Sequence, residues 1–160
     1  MDLSSLPYMR AALQRFREEF PWTSDGLSRT ERQIVTLVGQ GVSKPGEIFV
    51  KNMDLEEALF IGDWTTFHHI ADLCGGPTPL LKCRPHDTFR YPPVNEVTRD
   101  ALLQQRLSLT KLGRGVLQGV ADSYTGPNRD DWLGGIHLKS GAPMWMWDTH
   151  QSQLVLRAPN

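Results

Sequence analysis

The stretch 63–74, DWTTFHHIADLC, constrains this chain most, because both of its ends and its buried face are written in residue types. Asp63 follows Gly62 as an N-cap, and Gly75-Gly76-Pro77 ends the run, so a helix of about three turns is bounded on both sides. Phe67, Ile70, Ala71 and Cys74 fall at i, i+3, i+4 and i+7 and form one apolar stripe. Thr65, Thr66, His68, His69 and Asp72 lie off that stripe, leaving a short polar outer face. A helix this small cannot bury its stripe alone, so the flanking sequence must supply the partners.

Upstream, four more stretches carry helical signals. Residues 6–20, opening at Leu6, place Met9, Leu13, Phe16 and Phe20 on one face, with Arg10, Arg15, Arg17, Glu18 and Glu19 elsewhere. Ser28-Arg29-Thr30-Glu31 is a capping box that opens a helix with Ile34, Val35, Leu37 and Val38 inward, closed by the glycines at 39 and 41. Ser43-Lys44-Pro45-Gly46 begins another, with Ile48 and Phe49 as its buried pair. Asp54-Leu55-Glu56-Glu57 repeats the capping pattern and leads into Ala58, Leu59, Phe60 and Ile61.

Downstream the pattern shortens. Residues 80–84 read as a strand, 85–93 as a proline-rich loop, and 98–104 as a short helix. Residues 106–109 form a second strand with Leu107 and Leu109 on one face, and Thr110 caps a helix containing Leu112, Val116, Leu117 and Val120. After a loop over 124–131, residues 132–138 and 144–147 are expected to pair as a hairpin about a Lys139-Ser140-Gly141 turn, with 153–156 as an edge strand. Successive short helices followed by two strands predict a mainly α fold with small β additions (α+β): a winged helix-turn-helix over 27–121, an N-terminal helix within 1–26 packed on it, and an aromatic β-hairpin and tail over 122–160.

Leu109-Thr110-Lys111-Leu112-Gly113-Arg114-Gly115-Val116-Leu117 is similar to the L-T-x-x-G-R-x-x-L sequence of regulators of the multiple-antibiotic-resistance (MarR) type. There it closes the wing and opens the next helix, and the resemblance implies that role here. Leu6-Pro7-Tyr8-Met9, residues 26–33, Gly62-Asp63-Trp64 and Trp132-Leu133-Gly134-Gly135 resemble the C-terminal half of a bacterial family of unknown function. That resemblance implies an N-terminal α/β domain elsewhere and brings no catalytic residues.

Charge divides the functional readings. The chain sums to −1, so it is no polycation, and the balance is uneven along it. From 44 to 76 two lysines face six acidic residues; from 77 to 121 seven basic residues face three acidic ones. If the central helix enters a major groove, Thr65, Thr66, His68 and His69 would meet base edges while Lys82, Arg84 and Arg90 on the wing hold phosphate. The acidic helical stretch opposes that approach, and phosphate contacts dominate affinity, so the grip is expected on the wing side. The alternative is a protein-interaction module, docking through Trp132, Trp145 and Trp147 onto a partner or an N-terminal α/β domain. Trp145 and Trp147, sharing a strand face, also suggest a stacking platform.

Other chemistry is weakly encoded. Cys83-Arg84-Pro85-His86 is one tight ligand pair, and His69 with Cys74 only a loose second, so no metal is expected. Asp148, His150 and His137 offer a carboxylate and imidazoles with no nucleophile beside them, so a non-enzymatic protein without cofactor is expected. Met1-Asp2-Leu3-Ser4-Ser5 lacks leader features, and no apolar run is long enough to span a bilayer. The reading is a cytoplasmic chain with reduced thiols, no membrane partner, nucleic acid or protein as partner, and a homodimer through residues 6–20 as an alternative use of that helix.

Overall fold

The structure is a computed structural model, and it describes residues 5–86, 89–121 and 129–158. Among these, six helices and three two-stranded antiparallel sheets alternate: α1 (Met9–Arg17), α2 (Arg29–Gly39), α3 (Pro45–Asp54), α4 (Asp63–Cys74), β1 (Leu81–Arg84), α5 (Glu96–Gln104), β2 (Arg106–Leu109), α6 (Lys111–Leu117), β3 (Asp130–Leu133), β4 (Ile136–Lys139), β5 (Met144–Asp148) and β6 (Gln153–Arg157). The architecture is α+β. No helix among the described residues is long and apolar enough to cross a membrane. The expected loop over 124–131 lies mostly outside the described residues.

Two separate apolar clusters hold the chain. The first draws only on residues between Leu27 and Ala121: α2, α3 and α4 pack together, and β1 and β2 close the cluster from one side. Ile34, Val35, Ile48, Ile70 and Leu81 are wholly buried in it. Local sequence sets the corners. The Ser28–Glu31 capping box forms in both directions, with the Ser28 N–H donating to Glu31 Oε2 at 2.7 Å and the Glu31 N–H to Ser28 Oγ at 3.2 Å. Pro45 occupies the first turn of α3, where its missing N–H has no helical partner to lose. Thr110 caps α6 through the Gly113 N–H at 3.0 Å, and its hydroxyl reaches back to the Pro79 carbonyl at 2.8 Å.

The second cluster joins the two ends of the sequence: Phe20, Leu138, Met144, Met146 and Trp147 are buried together, with Phe16, Trp22 and Leu133 against them. The N-terminal helix, expected to pack on the helical core, is joined to it by ion pairs and hydrogen bonds. Its phenylalanines instead cover the tail, and only its polar side meets α2, through Arg29 with Glu18 and Arg15 with Thr30. α1 has no fully buried residue; Leu6, Tyr8 and Leu13 remain exposed.

The strands of the tail also differ from expectation. Residues 132–138 are not one strand: Gly134 and Gly135 (φ +57° and +81°) turn the chain so that β3 pairs with β4, Trp132 opposite His137. Two successive positive φ values are the geometry of a two-residue hairpin turn, and only glycine adopts both readily. β5 then pairs with β6 rather than with β4, Trp145 opposite Leu156 and Trp147 opposite Leu154. A helix does not continue beyond Asp54 either. Glu56, read as part of a new cap, is instead bound by Arg15 (two bonds of 2.7 Å) and lies near Arg29.

Candidate functional site

β1 and β2 present one apolar and one polar face. Leu81, Cys83, Leu107 and Leu109 point into the core, so Lys82, Arg84 and Arg106 point out. The register sets Arg84 opposite Arg106 and Lys82 opposite Ser108. These cations and the Gln104 and Pro85 edges line an open groove of about 640 Å³. The Arg90 backbone is tied to the same strands, while its guanidinium lies 3.3 Å from His86 Nδ1. Gln105, buried at the end of α5, accepts the Arg90 N–H at 3.1 Å and the Cys83 thiol at 3.2 Å through one oxygen. A buried amide is costly unless hydrogen-bonded, so this side chain fixes the loop bearing Arg90 against the ends of both strands. Among the described residues none of Lys82, Arg84, Arg90 and Arg106 has a carboxylate partner.

The outer face of α4 looks elsewhere. Thr65, His68, His69 and Asp72 line a cleft of about 430 Å³ closed on its far side by Arg129, Asp131 and Trp132. Its floor is a buried ion pair: Arg129 donates to both oxygens of Glu31 at 2.9 Å. Burial pushes the Glu31 carboxyl up, but Arg129, His69 and the Ser28 N–H outweigh it and hold the group below the usual carboxylate range. Beside it Glu19 takes the Thr30 hydroxyl at 2.7 Å and bonds to Arg15, with His69 at 4.0 Å. The carboxyl of Asp72 is pushed up by burial and by Asp131 across the cleft. This network joins α1, α2, α4 and the tail, and its buried charges are already paired.

Of the groove-reading residues expected on α4, Thr66 is a correction. It is fully buried, and its hydroxyl donates to the Gly62 carbonyl at 3.1 Å, as a threonine one turn into a helix readily does. Leu73, not Ala71, completes the buried stripe with Phe67, Ile70 and Cys74. Thr65, His68 and His69 share one cleft with four carboxylates, Glu19, Glu31, Asp72 and Asp131. Lys82 and Arg84 thus share one groove with Arg106, while Thr65, His68 and His69 line a different cleft together with those carboxylates.

The tryptophans divide as well. Trp147 is 2% exposed: its N–H donates to the Pro21 carbonyl at 2.8 Å, and its carbonyl accepts from Thr23 at 3.0 Å. Arg17 lies over its ring at 5.4 Å. The N-terminal segment thus covers Trp147, so the two rings do not form one open platform. Trp145 stays 38% exposed and Trp132 70%, the latter stacked on His137 at 4.7 Å. His137 bonds to Asp130, while Asp148 holds the β5–β6 turn through the His150 and Gln151 N–H groups. Asp148 and His137 are not a pair.

Burial pushes the Cys74 thiol up to about 12, with Cys83 adding to it, and Cys83 is also raised by burial. No group of three or more His, Cys, Asp or Glu among the described residues is placed to hold a metal ion. Sequence reasoning missed Arg106 as a partner of Arg84, Gln105 as their brace, and the Glu31–Arg129 pair. The excess of basic residues after 77 signalled the first; nothing local signalled the others. Comparison with protein-family profiles, with curated proteins and with solved structures finds no match to this chain.

Proposed function

We propose that this chain is a winged-helix module without catalytic activity that binds nucleic acid by its phosphate backbone through the exposed face of β1 and β2. The observation that carries this reading is the placement of Arg84 directly opposite Arg106, with Lys82 on the same exposed face. Like charges opposite one another on a sheet destabilise it, and a polyanion relieves the repulsion. The winged-helix reading is supported by the order of parts: three packed helices, then two antiparallel strands with α5 between them, then a helix opened by the Leu109-Thr110-x-x-Gly113-Arg114 sequence. In that sequence Thr110 caps, Gly113 lies against the Leu80 backbone, and Arg114 donates to the Leu109 carbonyl at 3.1 Å. In this proposal α4 does not read bases in a groove, because its carboxylate-lined face would repel phosphate. The test is fluorescence anisotropy of the full chain with labelled random-sequence oligonucleotide at low salt. Binding that is lost in the R84A/R106A double variant supports the proposal, and absence of binding by the unsubstituted chain ends it.

A second reading, docking of another protein on the tail, is favoured by one observation. Trp145 and Leu156, opposite each other on β5 and β6, are both exposed. Such a pair suits an apolar partner surface, and the Trp145→Ser variant would release that partner while leaving nucleic-acid binding intact.

A further inference from the structure

We propose that the nucleic acid taken by this face is single-stranded, and that one unpaired base stacks in the aromatic group formed by Trp64, His68 and Tyr91. This rests on the nucleic-acid reading above and adds the substrate class to it.

Trp64 and His68 stand one turn apart on α4, and Tyr91 meets them from the loop that follows β1. The Trp64 and Tyr91 ring centroids are 5.8 Å apart and tilted by 47°; Tyr91 and His68 are 6.1 Å apart. The group is braced from behind. The Tyr91 hydroxyl donates to the Trp64 carbonyl at 3.1 Å, and buried Phe89 lies nearly parallel to Tyr91 at 6.5 Å. Yet Trp64 remains 49% exposed. The ring is thus held in place with half of its surface open to a ligand.

The neighbouring charge identifies the occupant. Tyr91 directly follows Arg90, whose N–H is held by Gln105, and that same buried amide holds Cys83 beside Arg84 and leads directly into Arg106. Gln105 therefore fixes the backbone at Cys83 and Arg90, next in sequence to Arg84 and Tyr91. Phosphates on the arginines would carry bases past the rings. A duplex hides its base faces in its own stack. A single strand presents both the charge and the π-face that this surface complements, and base stacking on aromatic side chains tolerates any sequence.

The test compares the full chain with one mixed-sequence oligonucleotide as a single strand, as a duplex, and as a single strand carrying abasic sites, at one salt concentration. The expected result is that the base-bearing single strand binds at least about tenfold tighter than the duplex and quenches tryptophan emission. W64A and Y91A should each weaken the single strand by about fivefold or more and leave the abasic strand unaffected, whereas Y91F, which keeps the ring, retains binding. Equal binding of single strand and duplex, sensitive to R84A/R106A but indifferent to W64A and to abasic sites, would overturn the stacking inference and leave the backbone-binding proposal standing. No binding of any of the three would end both.

Discussion

Arg84 and Arg106 stand directly opposite one another on β1 and β2, both exposed, with no carboxylate among the described residues paired to either. The alternation of the strands forces this outward placement. Cys83 and Leu107, the neighbouring pair in the register, are buried in the helical core, so the arginines have only the solvent side to occupy.

This pair is expected to separate stability from binding. Removing one of two like charges that face each other across a sheet relieves repulsion worth about 0.2–1 kcal/mol. R84A should therefore leave the urea midpoint unchanged or slightly raised while weakening nucleic-acid binding. A marked fall in the midpoint would mean that Arg84 serves the fold rather than a ligand.

The Glu31–Arg129 pair is expected to fix the acid limit of the fold. Glu31 has a folded-state pKa below its unfolded value, so its contribution is complete above the ordinary carboxylate range and is lost as pH falls through the depressed value. Glu56, lowered by Arg15 and Arg29 against the opposing effect of burial, acts in the same direction. Urea midpoints should accordingly drop on acidification, and R129A should cost about 3–5 kcal/mol at neutral pH by leaving a buried carboxylate unpaired. An R129A variant as stable as the parent would contradict the pairing.

Gly113 is expected to tolerate no side chain. A Cβ built there would lie 2.2 Å from the Leu80 carbonyl oxygen, and backbone in a buried strand entry has little room to retreat. G113A should destabilise by about 1–3 kcal/mol or more, measured by chemical denaturation. G119A is no control for it, since Gly119 adopts φ +70°; G62A, which meets nothing within 4 Å, should cost far less. Equal effects of G113A and G62A would remove the close approach from the account.

What could be read in the sequence was whatever is specified locally. The Ser28–Glu31 box and the Thr110 cap depend on residues within one helical turn of each other and form as their residue types require, and α4 spans 63–74, though its N-cap is Gly62 and not Asp63, which lies inside the helix and makes no capping bond. The Gly134-Gly135 turn was equally local and was passed over in favour of the later Lys139-Ser140-Gly141 turn. The remaining differences are set by distant chain. Alternation alone puts Trp145 and Trp147 on one face, and only the return of the N-terminal segment distinguishes them, covering Trp147 and leaving Trp145 open. Thr66 faced outward by helical spacing, but α4 buries a wider face than its apolar stripe. The candidate site was half legible: the basic excess near the wing was countable. The pairing of Arg84 with Arg106 depends on a register that the twenty-odd residues between the strands conceal.

The most direct test of the central claim is the salt dependence of binding, with the equilibrium constant for a labelled single strand measured across a range of monovalent salt. Four phosphate contacts, from Lys82, Arg84, Arg90 and Arg106, predict that log K falls against log salt with a slope of about −3, and that R84A shallows it by about 0.7. A slope near zero, or one that R84A leaves unchanged, would contradict the claim that this face holds phosphate.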